Sequence, residues 1–284
     1  MYLQKQTAQF NVDCLALGIV AQETPSGYED SMVPSSYVYW LMMGGSRVMA
    51  INLLIPGGSL SVTTSKFSTV SRLMLDKAMK ANSEGDYFPV WGICLGFQIL
   101  VNYVAGRNRL FVTPGMDDVS LPLSYTRAAS TSRLLGNSSQ DVYDSLKTDS
   151  VTYHTHNYGV HLWKFQTQPE LVQFFSVIAT NVDANNKSFA SMIEAKDPRY
   201  PMYGSQWHPE KNSFDWDPTK AVNHSASGIR ATQYLANFFI GEARKNKHQF
   251  VDVGQEGPSL IQTERRRYFT GGKFQENFYI DFKE

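Results

Sequence analysis

Two short motifs in the sequence carry residue types that can do nucleophilic chemistry. Cys94 stands between Gly92 and Gly96 in the segment GICLG, and His208 and Glu210 stand two residues apart in QWHPE. A cysteine thiolate is a nucleophile, a neighbouring histidine can move its proton, and a carboxylate can orient that histidine. We therefore expect Cys94, His208 and Glu210 to act together in the attack on a carbonyl group.

The sequence around Cys94 predicts a sharp turn between a strand and a helix. The run from Tyr87 to Ile93 is typical of a buried strand, and Phe97 to Val104 has helical spacing up to Gly106. At such a turn, flanking glycines let the strand and the helix pack closely, and the helix amino terminus favours negative charge. We expect the backbone N–H of Leu95 to bind a developing oxyanion there.

A buried structural cysteine is the simpler interpretation of any single thiol. The flanking glycines favour the catalytic interpretation for Cys94, whereas Cys14 lies in an apolar run without them and is interpreted as structural. With only two cysteines, the chain offers neither a disulfide framework nor a zinc-binding spacing.

The QWHPE segment predicts that a histidine and a carboxylate converge. Proline favours extension of the residue before it, and residues two apart in an extended segment point the same way. His208 and Glu210 can therefore face the thiol together. On its own a His-x-Glu pair is more often a surface feature, so its meaning depends on the cysteine turn.

The PGGS segment, Pro56 to Ser59, follows the apolar run Arg47 to Ile55. Its glycines can turn backbone N–H groups toward a substrate carbonyl, and we assign Gly58, with Leu95, to an oxyanion hole. An ordinary turn at the end of a strand is the alternative.

Three histidines, His154, His156 and His161, lie close together in YHTHNYGVH. No cysteine or acidic cluster accompanies them, so we expect neither a metal site nor a cofactor. We interpret His156 as part of the polar wall of a substrate cleft.

The order of the predicted elements indicates an α/β fold. Apolar runs alternate with amphipathic segments, which predicts a mostly parallel central sheet with helices on both faces, in one domain over residues 1–284. Residues 117–150 are weakly periodic and predict surface loops with short strands. The other expected elements are a strand over 14–20, a helix capped by Ser35 or Ser36, a strand over 47–55, a helix over 65–80, three strands between 174 and 207, and a helix over 226–245.

One crossover helix is missing from this pattern after Asn52. A parallel strand pair needs a connection of about a dozen residues or more, yet VMAIN runs directly into LLIPGG. Either the sheet has lost or merged a strand, or the sequence is a shortened form of a longer one.

Composition excludes several classes of partner. The chain has 26 basic and 26 acidic residues, so no net charge attracts nucleic acid or an anionic membrane. The amino terminus, MYLQKQTAQFNVD, lacks the apolar core of a signal peptide. Three Asn-x-Ser sequons at Asn137, Asn186 and Asn223 would nevertheless suit a secretory or lysosomal protein.

Beyond the short motifs, longer blocks of the sequence resemble the γ-glutamyl hydrolase family, also called folylpoly-γ-glutamate carboxypeptidases. The matching blocks are IPGGS, GDYFPVWGICLGFQIL, HNYGV, YPMYGSQWHPEKNSFDW, YLANFFIGEARKN and the tail YFTGGKFQENFYIDF. Their order and flanking residues are more specific than the GxCxG and HPE motifs that all class I glutamine amidotransferases share. The resemblance implies a flavodoxin-like three-layer sandwich of the class I glutamine amidotransferase type.

The resemblance also implies roles for individual residues. Cys94 is the nucleophile, His208 the proton donor, Glu210 its orienting partner and His156 a residue of the substrate cleft. We also assign Gln98 and Gln206 to substrate binding. The resemblance further implies a folylpolyglutamate substrate, a homodimer, and a lysosomal, vacuolar or extracellular location. The sequence departs from the family at Gln98, where an acidic residue is usual, and in a deletion between Asn52 and Leu53.

Two other functions compete with γ-glutamyl hydrolysis. Gln98 is typical of true amidotransferases, so the chain can be a glutaminase subunit that supplies ammonia to a synthase, although it contains no synthase domain. A family member inactivated by the deletion is the third hypothesis.

Overall fold

A computed structural model describes residues 16–24, 31–248, 250, 253–268 and 276–280 of the 284-residue chain. The strands are β1 Ala16–Ile19, β2 Gln22–Glu23, β3 Ser31–Pro34, β4 Arg47–Ile55, β5 Val90–Ile93, β6 Phe111–Val112, β7 Asp117–Leu121, β8 Ser124–Tyr125, β9 Thr152–Thr155, β10 Tyr158–Gly159, β11 Phe175–Val182, β12 Ser188–Ala195, β13 Met202–Ser205, β14 Arg265–Tyr268 and β15 Glu276–Ile280. The α-helices are α1 Ser35–Met43, α2 Lys66–Ser83, α3 Leu95–Val104, α4 Gln140–Thr148, α5 Leu162–Gln166, α6 Pro169–Phe174, α7 Lys211–Phe214, α8 Ala226–Ala243 and α9 Val253–Ser259.

The central sheet has seven strands in the order β1-β4-β5-β13-β12-β11-β8. Strands β1, β4, β5 and β13 pair in parallel. β11 shares their direction because two successive antiparallel pairings join it to β13 through β12. Most strands of the sheet therefore run one way, which confirms the predicted α/β class. The carboxyl ends of the parallel strands meet at one edge of the sheet.

Helices cover both faces of this sheet, and the side chains of each strand alternate between them. Trp91 and Ile93 of β5 belong to a buried cluster that includes Phe239 of α8. Val90 belongs to the cluster on the opposite face, with Phe67 of α2. Burying a phenylalanine or leucine stabilises the fold by about 1.5–3 kcal/mol, so the two clusters hold the three layers together.

Two of the predicted helices begin at serine caps, whereas α1 does not. Ser65 and Ser225 cap α2 and α8, accepting hydrogen bonds from the backbone N–H groups of Ser68 and Gly228. The predicted serine cap of α1 is wrong, because the helix begins at Ser35 itself and no side chain caps it.

The prediction of surface loops with short strands over residues 117–150 is confirmed by β7 and β8, but it missed a helix. Gln140–Thr148 form α4, whose buried face consists of Val142 and Leu146, one helical turn apart. Two apolar residues are too few to give a visible helical period, so the pattern missed the helix. No helix in the described part of the chain is long and apolar enough to cross a membrane.

The structure answers the question of the missing crossover with a single merged strand. Gly18 and Ile19, which are adjacent in β1, pair with Met49 and Leu54 of β4. The register between β1 and β4 therefore shifts between these two pairs. Farther along, Leu54 and Ile55 pair with β5. β4 is therefore one continuous strand that pairs with both β1 and β5, where the parallel pattern predicts two strands joined by a crossover helix.

The first testable prediction concerns this merged strand. A helical connection of about a dozen residues inserted after Asn52 would let each half of β4 pair with β1 without the register shift. We expect a higher melting temperature, measured by circular dichroism against the parent chain. An unchanged or lower melting temperature would show that the merged strand is already a sufficient solution.

Candidate active site

Cys94 occupies a strained turn between β5 and α3. Its backbone has φ +51° and ψ −103°, a conformation that residues with a Cβ rarely adopt. The Cys94 N–H donates to the carbonyl of Ser205 at the end of β13, and its own carbonyl accepts from the N–H of Gln98. Strand, neighbouring strand and helix therefore fix the thiol at the carboxyl edge of the sheet.

The two glycines around Cys94 are required by close backbone packing. A Cβ on Gly92 would lie 2.6 Å from the carbonyl oxygen of Gly96. A Cβ on Gly96 would overlap the carbonyl oxygen of Ile55, the last residue of β4. The structure confirms the predicted reason for both glycines, which is the close approach of the strand and the helix at the turn.

His208 and Glu210 meet in a buried ion pair. Nδ1 of His208 lies 2.7 Å from Oε1 of Glu210, and the two side chains are 2 % and 0 % exposed. They meet through a turn that leads into α7, with Glu210 in helical conformation, and not through the extended segment that the sequence predicted. The Pro209–Glu210 turn brings the carboxylate back toward the imidazole.

Gly57 places His208 and Cys94 face to face. A Cβ on Gly57 would lie 2.6 Å from Cε1 of His208 and 3.0 Å from Cβ of Cys94, so both side chains border the same small space. Nε2 of His208 has no hydrogen-bond partner among the described residues. This nitrogen can therefore exchange a proton with a reacting group.

Electrostatics favour a protonated His208. Burial lowers the pKa of the imidazole, but the negative charge of Glu210 and that of an ionised Cys94 outweigh burial and raise the pKa to about 9. The His208 imidazole is therefore protonated at neutral pH, so a proton donor stands beside the candidate nucleophile.

Tyr37 of α1 is a third side chain in contact with the His208–Glu210 pair, and the sequence pattern did not predict it. Its hydroxyl accepts a hydrogen bond from the Gly57 N–H at 2.8 Å and lies 3.2 Å from Nδ1 of His208. Burial first, and then the charge of Glu210, raise the pKa of Tyr37 well above its usual value. The neutral phenol thus links the turn after β4 to the ion pair.

Only the order and direction of the strands and helices could have indicated that Tyr37 lies at the site. α1 lies in the connection that leads from β1 to its parallel neighbour β4, and this connection leaves β1 at the carboxyl edge of the sheet, so we place the first turn of α1 near that edge. Tyr37 lies in that first turn. Gln22, whose carboxamide donates to the carbonyl of Gly57, was also missed; it lies in β2, shortly after the carboxyl end of β1.

Leu95 and Gly58, the predicted oxyanion donors, lie at the two turns that border Cys94. Leu95 opens α3, where the first N–H groups have no partner within the helix. The next N–H, that of Gly96, donates to the carbonyl of Pro56. Gly58 packs against the carboxamide of Gln22.

Gln98 and Gln206 contact each other through their side-chain amides. Nε2 of Gln98 donates to the carbonyl of Tyr158 at 2.7 Å and to Oε1 of Gln206 at 3.3 Å. Because the Tyr158 carbonyl can only accept, it fixes the orientation of both amides. Nε2 of Gln206 is buried without a hydrogen-bond partner in the described structure.

His156 lies deeper than a cleft wall. It is 4 % exposed, and its ring nitrogens lie 3.2 Å from Oγ1 of Thr113 and 3.0 Å from Nδ1 of His154. Burial, together with the charges of His156 and His208, lowers the pKa of His154 well below its usual value. The pair therefore forms a buried polar wall behind the site.

The remaining candidates lie apart from this cluster. Nε2 of His161 lies 3.3 Å from a carboxylate oxygen of Asp183, and its ring stacks on Phe111. No group of three or more histidine, cysteine or acidic residues suited to a metal ion occurs in the described ranges. The prediction for Cys14 lies outside the described residues.

A family model described as "Glutamine amidotransferase class-I" matches residues 48–224. Among curated proteins, γ-glutamyl hydrolase of Bos taurus is 35% identical over 268 residues, which cover 88% of this chain and 83% of that protein. γ-Glutamyl hydrolase B of Dictyostelium discoideum is 33% identical, covering 93% and 82%. The human γ-glutamyl hydrolase is 31% identical, covering 93% and 89%.

A solved structure supports the same fold. The glutaminase domain of Trypanosoma brucei CTPS with bound acivicin superposes with a TM-score of 0.50. The match covers 83% of this chain and 96% of that domain at 13% sequence identity.

The second prediction concerns the charge of the ion pair. The pKa of His208, about 9, exceeds its ordinary value of 6.5, so the pair stabilises the fold fully below about pH 6.5 and loses that contribution as the pH rises through 9. In Glu210→Gln we expect a lower His208 pKa by NMR titration and a smaller loss of unfolding free energy between pH 6.5 and 9. We also expect kcat to fall at least about tenfold, less than for His208→Ala.

His208→Gln is the control for the stability measurement, since it removes the titrating group and should flatten the same pH range. A His208 pKa that stays near 9 in Glu210→Gln would contradict the assigned cause.

Proposed function

Because this chain belongs to the γ-glutamyl hydrolases of the class I glutamine amidotransferase family, and is thus an enzyme that hydrolyses γ-glutamyl bonds, we propose that Cys94 is its nucleophile. The observation that carries the proposal is the buried His208–Glu210 pair, 2.7 Å between Nδ1 and Oε1, beside a cysteine held at positive φ. No other described residue combines a nucleophile with such a partner at the carboxyl edge of the sheet.

In the first half of the reaction, the Cys94 thiolate attacks the γ-carbonyl carbon of the substrate. The carbonyl oxygen becomes an oxyanion, which the N–H groups of Leu95 and Gly58 stabilise. When the C–N bond breaks, the His208 imidazolium gives its Nε2 proton to the leaving amine. A γ-glutamyl thioester on Cys94 and a free glutamate amine are the products.

In the second half, His208 is neutral and acts as a base. It takes a proton from a water molecule, whose oxygen attacks the thioester carbonyl, and the Cys94 thiolate leaves. Glu210 accepts the hydrogen bond from Nδ1 of the imidazole throughout, so Nε2 always faces the reacting atoms. Through its hydroxyl, Tyr37 links the His208–Glu210 pair to the turn at Gly57.

We propose folylpoly-γ-glutamates as substrates. The proposal is supported by the sequence blocks that resemble folylpoly-γ-glutamate carboxypeptidases, and the names of the curated relatives support the γ-glutamyl bond as the one that is cleaved. The γ-carbonyl of a γ-glutamyl linkage has the same neighbours as the side-chain amide of glutamine, so one pocket serves both chemistries. A hydrolase must in addition leave room for a charged glutamate as the leaving group.

Glutamine hydrolysis for a synthase partner is the competing function, and Gln98 is the residue that favours it. Loss of activity through the deletion after Asn52 has less support, because Cys94, His208 and Glu210 remain together although β4 is one merged strand. We further propose, from the family resemblance, a homodimer in a lysosome or vacuole or outside the cell.

The third prediction separates the two functions. We expect the isolated chain to release glutamate from γ-linked polyglutamates with kcat/KM at least about tenfold above its value for glutamine, a difference of about 1.4 kcal/mol. Cys94→Ala should abolish both activities with an unchanged melting temperature. Equal or faster glutamine hydrolysis would favour the glutaminase function, and full activity of Cys94→Ala would refute the mechanism.

The fourth prediction tests the secretory location. Asn137 and Asn186 are exposed, whereas Nδ2 of Asn223 donates to the carbonyl of Ser150 at 2.7 Å. Expressed with a signal peptide in a eukaryotic host, the chain should lose mass on deglycosylation. Asn137→Gln and Asn186→Gln should each remove one glycan, and Asn223→Gln none. An unchanged mass after deglycosylation would remove the support from the sequons.

A further inference from the structure

The backbone of Tyr158 lies at the site, whereas its large side chain is exposed. Its carbonyl accepts the hydrogen bond from Nε2 of Gln98, while its side chain is 52 % exposed. Burial of an aromatic ring stabilises a fold, so a ring held at the site without being buried is available to something else. The reaction steps derived above do not use it.

The short hairpin of β10 and β6 sets the direction of this ring. Tyr158 pairs directly with Val112, which is 58 % exposed, so the two side chains share the outer face of the hairpin. The next pair, Gly159 with Phe111, faces the other way, where Phe111 packs on Trp163. Tyr158 and Val112 thus form a small apolar surface that we call the outer hairpin face.

The covalent structure of a γ-glutamyl group brings its α-carbon toward this surface. That carbon is three bonds from the γ-carbonyl carbon attacked by Cys94. That carbon is about 4 Å from the attacked carbon, and Gln98 lies one turn of α3 beyond Cys94, a rise of about 6 Å, so the Gln98 side chain is within reach of groups on the α-carbon. Substituents of the α-carbon therefore reach Gln98 and, next to it, Tyr158.

The two glutamine amides offer groups that suit an acylated α-nitrogen. Both N–H bonds of the Gln98 amide are used, and its Oε1 accepts no hydrogen bond from the described residues. Nε2 of Gln206, which is fully buried, keeps a donor without an acceptor there. One acceptor and one donor correspond to the two hydrogen-bonding groups of an amide, its N–H and its C=O. An acyl group on that nitrogen would extend toward Tyr158.

We propose that the Tyr158 ring is the platform on which an aromatic acyl group, carried by the α-nitrogen of the γ-glutamyl unit, stacks during binding. The proposal deepens the proposed function and rests on it. It makes Tyr158 a specificity-determining residue for γ-glutamyl chains with an aromatic head group. The contact is remote from the bond that breaks, so it acts on KM more than on kcat.

The experiment compares two substrates that differ only in the ring. N-(4-aminobenzoyl)-γ-glutamyl-glutamate and N-acetyl-γ-glutamyl-glutamate share the acylated α-nitrogen, the scissile bond and the leaving group. We expect the wild-type chain to favour the aromatic substrate in kcat/KM by about threefold to tenfold, the range of one aromatic stacking contact. Tyr158→Ala should remove this preference by raising KM for the aromatic substrate alone, and Tyr158→Trp should retain it.

Trp163→Ala is the matched control, since Trp163 is 51 % exposed and lies by Phe111 on the opposite face of the same hairpin. It should leave the ratio of the two substrates unchanged. An unchanged ratio in Tyr158→Ala, or an equal loss on both substrates, would overturn the role of Tyr158 alone. Failure of the wild-type chain to cleave either substrate would overturn the proposed function together with it.

Discussion

The approach of Gly96 to the carbonyl oxygen of Ile55 is the contact on which the site depends. No side chain can be inserted between the start of α3 and the end of β4, because even a Cβ would overlap the carbonyl oxygen. This contact joins β4, β5 and α3 at one point and holds Cys94 at φ +51°. A strained backbone persists only when its surroundings over-determine it, and here hydrogen bonds from Cys94 and Gly96 to two neighbouring segments do so.

The second constraint is the burial of charge. Removing His208 and Glu210 from water costs several kcal/mol for each ion, and close pairing with hydrogen bonds offsets that cost. Burial also makes each interaction stronger, which is why the pKa of His208 rises to about 9 despite desolvation. The fold thus holds a charged acid ready for the leaving group. Tyr37 adds a neutral phenol that ties this pair to Gly57 without adding a further charge.

The merged strand β4 shows which part of the sheet the site requires. The register shift falls between Met49 and Leu54, on the side of β4 that pairs with β1. The pairing of Leu54 and Ile55 with β5 is regular, and the turn at Pro56 and Gly57 follows directly. The half of the strand that supports the thiol is therefore intact, while the deviation is confined to residues farther from it.

The sequence by itself determined the α/β class, the extent of most central strands and helices, and the turn at Cys94. These depend on local patterns, namely alternation along strands, helical spacing and glycines at a close approach, which a short window contains. It also singled out His208 and Glu210 as converging, although Pro209 and Glu210 bring this about through a turn instead of an extended segment. Helix α4 escaped prediction because only two of its residues carry the apolar signal.

Only the tertiary structure decided how distant segments meet. Tyr37 and His208 are 171 residues apart in the chain, and Gln98 and Gln206 are 108 apart, so no local pattern relates them. The burial of His156 against His154 and the placement of Tyr158 beside Gln98 likewise depend on the pairing of short strands. Local sequence fixes which groups can react, whereas the order of strands in the sheet fixes which of those groups come within hydrogen-bonding distance.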